Sequence, residues 1–171
     1  MVISMMKDAA TFESVMEQYS AEIYRYLWRM FGDSQEAEDC LQDSFLRAYK
    51  AYGRLKPDSN IRAWLYTIAT NTARTQLKQR GRRWTREGGL VAELQSGQAA
   101  IETGILQREE LEAIHEAVQG LPLKQRAALM MRKYQDLDYG EIAEALKCSP
   151  ESARANVYQA LRKLRTSFAS R

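Results

Sequence analysis

Apolar residues recur three or four positions apart along most of the chain, and no segment alternates between apolar and polar residues as a β-strand would. One stripe occupies positions 12–30 and stops at Gly32, a second occupies 37–52, and a third occupies 61–77 and stops at Gly81. An apolar stripe of this period marks the buried face of an amphipathic helix, and glycine commonly ends such a helix. The first half of the chain is therefore predicted to form three helices.

Capping signals place the starts of two helices. Asp33 precedes the second stripe and Glu36 follows it by three positions, while Asp138 and Glu141 repeat this spacing in the second half. An acceptor side chain at the N-cap, with Glu at the third helical position, satisfies two of the backbone amides left free at a helix start. Both pairs are predicted to form capping boxes.

Residues 85 to about 106 separate the two halves of the chain. This segment lacks a sustained apolar stripe and contains four of the nine glycines, a composition typical of a flexible linker. Helical periodicity resumes at Leu111 and continues beyond Pro122, which suits the first turn of a further helix. We therefore expect an all-α fold of two small helical domains, residues 1–84 and 107–171, joined by a linker over 85–106.

The composition, 45% hydrophobic and 27% charged residues with a net charge of +3, is typical of a globular protein. No apolar run approaches the ~18 residues of a membrane span, and the residues before the first stripe lack the pattern of a signal peptide. Cys40 and Cys148 are far apart and lack a CxxC neighbour, which favours a reducing compartment over a disulfide framework. A cytoplasmic protein without membrane insertion is expected.

The stretch EIAEALKCSPESARANVYQALRKLR, residues 141–165, predicts two helices joined by an abrupt turn. Ser149 is a favourable N-cap and Pro150 a favourable first helical residue, whereas Lys147 stands where many such turns have glycine. This is the pattern of a DNA-binding helix-turn-helix, whose second helix enters the major groove. At 100° per residue that helix has an inner face of Ala153, Val157, Ala160 and Leu164 and an outer face of Ala155, Tyr158, Gln159 and Arg162, with Arg154 at its margin.

Charge in the first half of the chain is divided between two helices. Residues 33–43 contain five acidic side chains and no cation, whereas residues 74–86 contain six cations and no acid. The first helix suits a basic protein partner and the second suits phosphates. Trp64 lies on the apolar stripe and is assigned to the core, whereas Tyr66 lies off it and is expected to expose its ring for stacking on a base.

Two longer regions of the chain are recognisable together. EAEDCLQDSFLRAYKAY with IRAWLYTIATNTARTQLKQRGRR resembles conserved region 2 of the extracytoplasmic-function (ECF) sigma factors, the sigma-70-type initiation subunits of bacterial RNA polymerase. GLPLKQRAALMMRKYQDLDYGEIAEALKCSPESARANVYQALRKLR resembles their region 4, and the regions stand in the family order. The resemblance covers nearly the whole chain. It implies a factor that binds core polymerase, recognises the −35 and −10 promoter elements, and helps to melt the latter, often in a stress response.

The resemblance also implies the protein partners. In the family the acidic helix docks on the clamp helices of the largest polymerase subunit, and the matching positions here are Glu38, Asp39, Gln42 and Phe45. Carboxylates can meet arginines on that partner, and an apolar residue beside them adds buried area. Region 4 implies a second contact, with the flap of the second-largest subunit. An anti-sigma factor that covers the polymerase-binding surfaces is a further expected partner.

Residue by residue, the resemblance implies two sets of DNA contacts. Those for the −10 element are Asn60, Ile61, Tyr66, Asn71, Arg74, Arg82 and Arg83, with the first two in a loop that captures a flipped base. Those for the −35 element are Arg132, Ser152, Arg154, Ala155, Tyr158 and Gln159. Gln159 stands where an arginine is common in the family. Because glutamine pairs with adenine where arginine pairs with guanine, a −35 sequence different from that of common relatives is expected.

Two other classes of function fit parts of the chain. A free-standing helix-turn-helix regulator accounts for residues 138–165 but leaves the acidic helix and the AWLYTIATN string unexplained. An enzyme such as a nuclease is disfavoured, because the chain has one histidine, His115, and lacks a Cys/His ligand cluster or a glycine-rich phosphate loop. No catalytic residue, metal or cofactor is expected.

Overall fold

The computed structural model describes residues 2–86 and 105–170, with the side chains of 11–83 and 107–170, and all regular structure in these ranges is helical. The all-α prediction is confirmed for this part of the chain. None of its helices is both long and apolar enough to cross a bilayer. The helices are α1 (Val2–Phe31), α2 (Ser34–Tyr52), α3 (Ile61–Arg86), α4 (Ile105–Gln119), α5 (Leu123–Tyr134), α6 (Tyr139–Leu146) and α7 (Pro150–Ala169).

The first three helices pack on one another and form what we call the N-terminal module. The predicted stripe of α1 supplies much of its core, and Gly32 ends that helix with φ of 71°, a left-handed conformation that favours glycine. Asp33 caps α2 as predicted, because its carboxylate accepts a hydrogen bond from the Glu36 amide at 2.8 Å. The Glu36 side chain bonds to Arg80 at 2.9 Å instead of returning to the Asp33 amide, so the predicted capping box is only half formed here. The core residues of α1 are Phe12, Val15, Ile23, Tyr26, Leu27, Met30 and Phe31.

The third helix is longer than its apolar stripe predicts. It runs through Gly81 to Arg86, so the prediction that Gly81 ends the helix is wrong. A single glycine costs a helix only about 1 kcal/mol, and here its φ is not positive and a Cβ would meet nothing within 4 Å. Because of this extension, the basic residues of 74–86 and the AWLYTIATN string lie on one continuous helix. Most of the predicted linker lies outside the described residues.

Helices α4–α7 form the C-terminal module, and its capping signals are confirmed. Asp138 and Glu141 form the predicted capping box at the start of α6. The Ser149 hydroxyl accepts from the Ser152 amide at 3.1 Å, and Pro150 is the first residue of α7. Between these helices Lys147 adopts the left-handed conformation, with φ 51° and ψ 54°. The helix-turn-helix is therefore present, with a lysine in the backbone position that favours glycine.

The two modules pack against each other. Helix α6 contacts α3, and α5 contacts α1, so that one buried apolar cluster continues from the N-terminal into the C-terminal module. His115 of α4 is half-buried, and its imidazole lies against Gly32, where a Cβ would come within 1.9 Å of the ring. We call this arrangement of the two modules the closed packing.

Candidate protein and nucleic-acid interfaces

The outer face of α2 presents the predicted acidic residues but not the predicted apolar one. Glu38, Asp39 and Gln42 are exposed, as a docking surface requires. Phe45 is only 6% exposed, and its ring packs edge-on against Phe12 with centroids 6.3 Å apart. Phe45 therefore belongs to the core of the N-terminal module, and its assignment as a partner contact is wrong.

Two other apolar residues take the place of Phe45 on this face. Leu46 and Tyr49 are each 52% exposed, within the next two turns of α2 beyond Gln42. Their position off the apolar stripe is the signal that would have separated them from Phe45. Together with Glu38, Asp39 and Gln42 they form a continuous surface that we call the α2 outer face. One end of this surface is anionic and the other is apolar.

Other acidic residues of α2 are engaged within the module. Glu36 bonds to Arg80, and Asp43 pairs with Arg47 at 3.2 Å. Burial raises the pKa of the Glu36 carboxyl, and Arg80 partly offsets this rise. Glu38 has no ion pair within the described part of the chain, so its charge is available to a basic partner.

The start of α3 holds the loop residues predicted to capture a base. Asn60 precedes the helix, and its Oδ1 accepts from the Ala63 amide at 3.0 Å, so the side chain caps α3. The cap holds Oδ1 in place. The Nδ2 group donates in the other direction, to Glu141 of α6 at 3.4 Å. Ile61 is half-buried against the core. Asn60 can therefore cap the helix and still donate a hydrogen bond to a base or a phosphate.

Tyr66 does not present its ring to solvent. Its side chain is fully buried, its ring stands edge-on to Tyr26 with centroids 5.0 Å apart, and its hydroxyl donates to Glu22 at 2.8 Å. Burial, followed by the hydrogen bond to Glu22 and then the charge of Glu22, raises the pKa of the phenol. The prediction of an exposed stacking ring is wrong, because α1 covers a face of α3 that lies beside the apolar stripe.

The remaining predicted −10 residues follow one another along α3. Asn71, Arg82 and Arg83 are exposed, and Arg74 is half-buried. Asn71 also borders an open groove of about 530 Å³ between α3 and α6, in which Trp64 of one module faces Glu144 of the other. Trp64 packs on the core as predicted, with its ring 6.3 Å from that of Tyr52. The groove and the basic end of α3 form a cationic and aromatic track suited to a single strand.

The second helix of the helix-turn-helix has the two faces that the sequence predicts. Ala153, Val157 and Ala160 are buried. The predicted −35 contacts of α7 lie on the opposite side, where Tyr158 is 65% exposed. The exposed set is Ser152, Arg154, Ala155, Tyr158 and Gln159.

Two residues that the sequence did not single out hold parts of this surface in place. The ring of Tyr139 lies 4.9 Å from the guanidinium carbon of Arg132 and 5.0 Å from that of Arg154. Gln125 of α5 donates to the Gln159 side chain at 2.8 Å. Cation–π contacts and a side-chain hydrogen bond restrict otherwise mobile side chains. Only a fold that brings three helices together could reveal these contacts.

Within the described ranges no group of three or more His, Cys, Asp or Glu residues is arranged to hold a metal ion. His115 packs against Gly32 instead of joining a cluster of ionisable residues. The surfaces described above offer acidic, basic and aromatic groups, which suit binding to proteins and nucleic acids.

Comparison with known families assigns both modules. Residues 15–83 match the family model described as sigma-70 region 2, and residues 111–164 match the one described as sigma-70, region 4. The chain is 35% identical over 162 residues to the RNA polymerase sigma-H factor of Pseudomonas aeruginosa, covering 90% of this chain and 83% of that protein. It is 29% identical over 165 residues to the ECF RNA polymerase sigma-E factor of Escherichia coli, covering 90% and 84%.

Solved structures share the fold. The sigma factor RpoE of Bartonella quintana, in complex with the anti-sigma factor NepR, aligns with a TM-score of 0.72 at 22% identity, over 93% of this chain and 97% of that chain. CnrH, in complex with the cytosolic domain of CnrY, aligns with a TM-score of 0.67 at 20% identity, over 98% and 96%. Fold, family models and relatives agree: this chain belongs to the ECF sigma factors of the sigma-70 family, which are promoter-specific transcription initiation factors.

Proposed function

We propose that this sigma factor binds core RNA polymerase through the α2 outer face, binds the melted −10 strand along α3, and reads the −35 duplex with α7. The observation that carries this proposal is the separation of charge: exposed acids lie on α2, and exposed cations lie on α3 and α7. No catalytic step is proposed. The protein acts in the cytoplasm, where the polymerase is.

The polymerase contact combines charge with apolar burial. Glu38 and Asp39 offer carboxylates to arginines of the largest subunit's clamp helices, and Leu46 offers an apolar side chain that α2 leaves uncovered. Charge complementarity steers the encounter, whereas burial of an exposed apolar residue contributes to the affinity. Leu46 thus takes the part that the resemblance assigned to Phe45. The C-terminal module is proposed to dock on the flap of the second-largest subunit.

The −10 contacts use the exposed edge of α3. Asn60 offers its Nδ2 donor and Ile61 an apolar surface beside it, while Asn71 and Arg74 continue along the helix. Opening a duplex costs a few kcal/mol for each unstacked base, so captured bases and bound phosphates must offset that cost. Arg82 and Arg83 extend the cationic track and hold phosphates without reading sequence. Tyr66 has no part in this surface.

The −35 contacts use the exposed face of α7 and its supports. Arg154, Ala155, Tyr158 and Gln159 face the major groove, and the polar side chain of Ser152 and the cation of Arg132 hold phosphates. The Arg132 guanidinium is held from two sides, by the ring of Tyr139 and by a 3.1 Å bond to the Leu137 carbonyl. Gln125 donates to Gln159 Oε1 and so restrains that side chain, whose Nε2 donor and second Oε1 lone pair can still pair with adenine.

An anti-sigma factor is the proposed regulatory partner. The structure of the sigma factor RpoE with the anti-sigma factor NepR supports it, because RpoE shares this fold. Such an inhibitor could bind the exposed apolar residues of the α2 outer face, and polymerase could then not bind there.

A gel shift with and without core polymerase tests the proposal. A DNA fragment carrying matched −35 and −10 elements should shift strongly only when this protein and core polymerase are both present. Asp39→Lys and Leu46→Glu should each abolish the shift, whereas Lys50→Ala, at an exposed residue beyond this surface on α2, should preserve it. Equally tight binding of the chain alone would contradict the proposal and favour a free-standing helix-turn-helix regulator.

A further inference from the structure

We infer that Gln125 of α5 is a positioning residue that sets which base the outer face of α7 prefers, because it fixes the orientation of the Gln159 amide. The inference rests on the proposed −35 role of α7. It adds a specificity determinant that lies on another helix and outside the predicted set of −35 contacts. The contact that carries it is the hydrogen bond of 2.8 Å from Gln125 Nε2 to Gln159 Oε1.

A glutamine that contacts a base has two ends of opposite character. Its amide oxygen accepts hydrogen bonds and its NH2 group donates them, and the two ends have nearly the same shape. The terminal torsion of glutamine is broad and roughly two-fold, so an unrestrained amide exchanges the two ends by a half turn. Each base presents its own pattern of donors and acceptors in the major groove. The base preference of Gln159 therefore depends on what holds its amide.

Gln125 holds the oxygen end of the Gln159 amide. Gln159 lies on the exposed face of α7, whereas Gln125 is half-buried on α5, which packs directly against α7. Neighbours on α7 do not compete, because Ala155 has no polar side-chain atom and Asn156 donates to the Ser152 carbonyl at 2.9 Å. Within the described part of the chain, Gln159 Nε2 makes no hydrogen bond. The oxygen of the amide is thus engaged, and its two donors are available to DNA.

The other end of the Gln125 amide favours this orientation over the exchanged one. Gln125 Oε1 is buried and has no hydrogen-bond partner within the described residues. If both amides turned over, Gln125 would accept from Gln159, and its NH2 group with two donors would be buried there instead. In buried backbone amides an orphaned N–H is rarer than an under-satisfied carbonyl, and the glutamine side chain carries the same chemical group. Burying the unpaired acceptor is less unfavourable, so Gln125 remains the donor.

This orientation gives the Gln159 amide a direction along the groove. In an adenine contact Nε2 donates to N7, and the second lone pair of Oε1 accepts from N6. Because the oxygen stays on the side of Gln125, an adenine with N6 on that side is matched at both atoms. Guanine presents acceptors at N7 and O6, so the held oxygen would face another oxygen. Gln125 thus favours adenine over guanine at the position that Gln159 reads.

Reversing the hydrogen-bonding character of the side chain at Gln125 tests the inference. Gln125→Glu offers only acceptors, so Gln159 must donate to it and turn its amide over. Oε1 then faces N7 and Nε2 faces N6, so both adenine contacts are lost, whereas guanine keeps one contact through O6. The ratio of adenine to guanine bound at this position should fall at least about tenfold. Gln125→Lys offers only donors, keeps Oε1 engaged, and should stay within about twofold of the wild-type ratio.

The measurement is a ratio between sequences, made with core polymerase and the full chain. The complex is incubated with a DNA library in which each base pair of the −35 element is varied in turn, and the retained fragments are sequenced. Gln159→Ala identifies the position that Gln159 reads, as the one where base preference is lost. Lys124→Ala, at the exposed neighbour of Gln125, lowers the net charge by one, as Gln125→Glu does. It should change occupancy evenly across sequences and leave the ratio unchanged.

The outcomes separate the inference from the function on which it rests. An unchanged adenine-to-guanine ratio in Gln125→Glu would overturn the inference and leave the −35 role of α7 standing. Equal changes in Gln125→Glu and Gln125→Lys, or changes at several positions, would show that Gln125 only packs α5 against α7, and they would overturn the inference too. If no position responds to Gln159→Ala, the proposed base contact of Gln159 itself is wrong.

Discussion

The two surfaces of this sigma factor that are proposed to bind DNA differ in how much of each the closed packing leaves open. The outer face of α7 is exposed along its length, and Tyr139 and Gln125 already hold its polar side chains. The start of α3 is bonded to α6 through Asn60 and Arg62. If the proposed roles hold, duplex DNA can meet the outer face of α7 without rearrangement, whereas a single strand at the start of α3 would compete with Glu141 for the Asn60 and Arg62 donors.

The largest expected effect concerns whether α2 stays packed on the core of the N-terminal module. Burial raises the pKa of the Cys40 thiol to about 12, and Cys40 lies in the core between α2 and its neighbours. At pH 8 its thiolate fraction is about 10⁻⁴, so alkylation should be at least about a thousandfold slower than for a free cysteine. Reaction rates in a Cys148→Ser protein, followed by mass spectrometry, check this value.

The same measurement in Glu141→Gln sharpens the comparison. If only the contact between α6 and the start of α3 loosens, Cys40 should stay protected in that variant. Rapid alkylation of Cys40 in the folded protein would mean that α2 itself detaches, which would contradict a core that stays packed when this contact loosens.

The next effect tests the open surface. Arg154→Ala removes a base-facing or phosphate-facing cation from α7 and should lower promoter occupancy by the polymerase complex about 10- to 100-fold. Arg165→Ala, near the end of the same helix, is the matched control and should change occupancy less than threefold. Occupancy is measured by footprinting at fixed salt, and wild-type occupancy with Arg154→Ala would contradict the −35 assignment.

A smaller effect tests whether Tyr139 positions the arginines around it. Tyr139→Leu keeps an apolar side chain but removes the ring beside Arg132 and Arg154, and it should weaken −35 binding about three- to tenfold. Tyr139→Phe keeps the ring and should bind within about twofold of the wild type. The salt dependence of binding separates positioning from folding, because only loss of a phosphate contact lowers its slope. Equal losses in both variants would refute the positioning role.

The smallest expected effect concerns the turn that α6 and α7 share. Lys147 holds a left-handed conformation that costs a non-glycine residue about 1 kcal/mol or more. Lys147→Gly should therefore raise the free energy of unfolding by up to about 1 kcal/mol, with part of the gain offset by the entropy of glycine in the unfolded chain. Lys147→Ala, which keeps the strain, is the control. Thermal unfolding measures both variants, and a less stable Lys147→Gly protein would contradict the assigned strain.

Local features of the fold were readable from the sequence because neighbouring residues determine them. The N-cap residues Asp33, Asp138 and Ser149 and the two-faced pattern of α7 all involve residues within four positions of one another. The prediction that acidic residues of α2 are exposed was likewise correct for Glu38 and Asp39. Such signals fix where helices begin and which face is apolar.

The Gly81 error is local, because one glycine costs a helix little, whereas the errors about Tyr66 and Phe45 share another cause, which is coverage by helices distant in sequence. Tyr66 was expected to be exposed because it lies off the stripe of α3, yet α1 buries that second face and pairs its hydroxyl with Glu22. Phe45 was predicted to lie on the apolar stripe of α2 and also to contact a protein partner. Its ring packs against Phe12, so it belongs to the core. The hydrogen bond between Asn60 and Glu141 joins residues 81 positions apart. No periodicity within one helix reports such contacts.

The most direct test of the central claim is run-off transcription with purified core polymerase on genomic fragments. RNA chains should start at defined sites only when this protein is added. These starts should disappear when Asp39→Lys or Arg154→Ala replaces the wild-type protein. Core polymerase that neither retains the protein nor gains defined start sites in its presence would contradict the account.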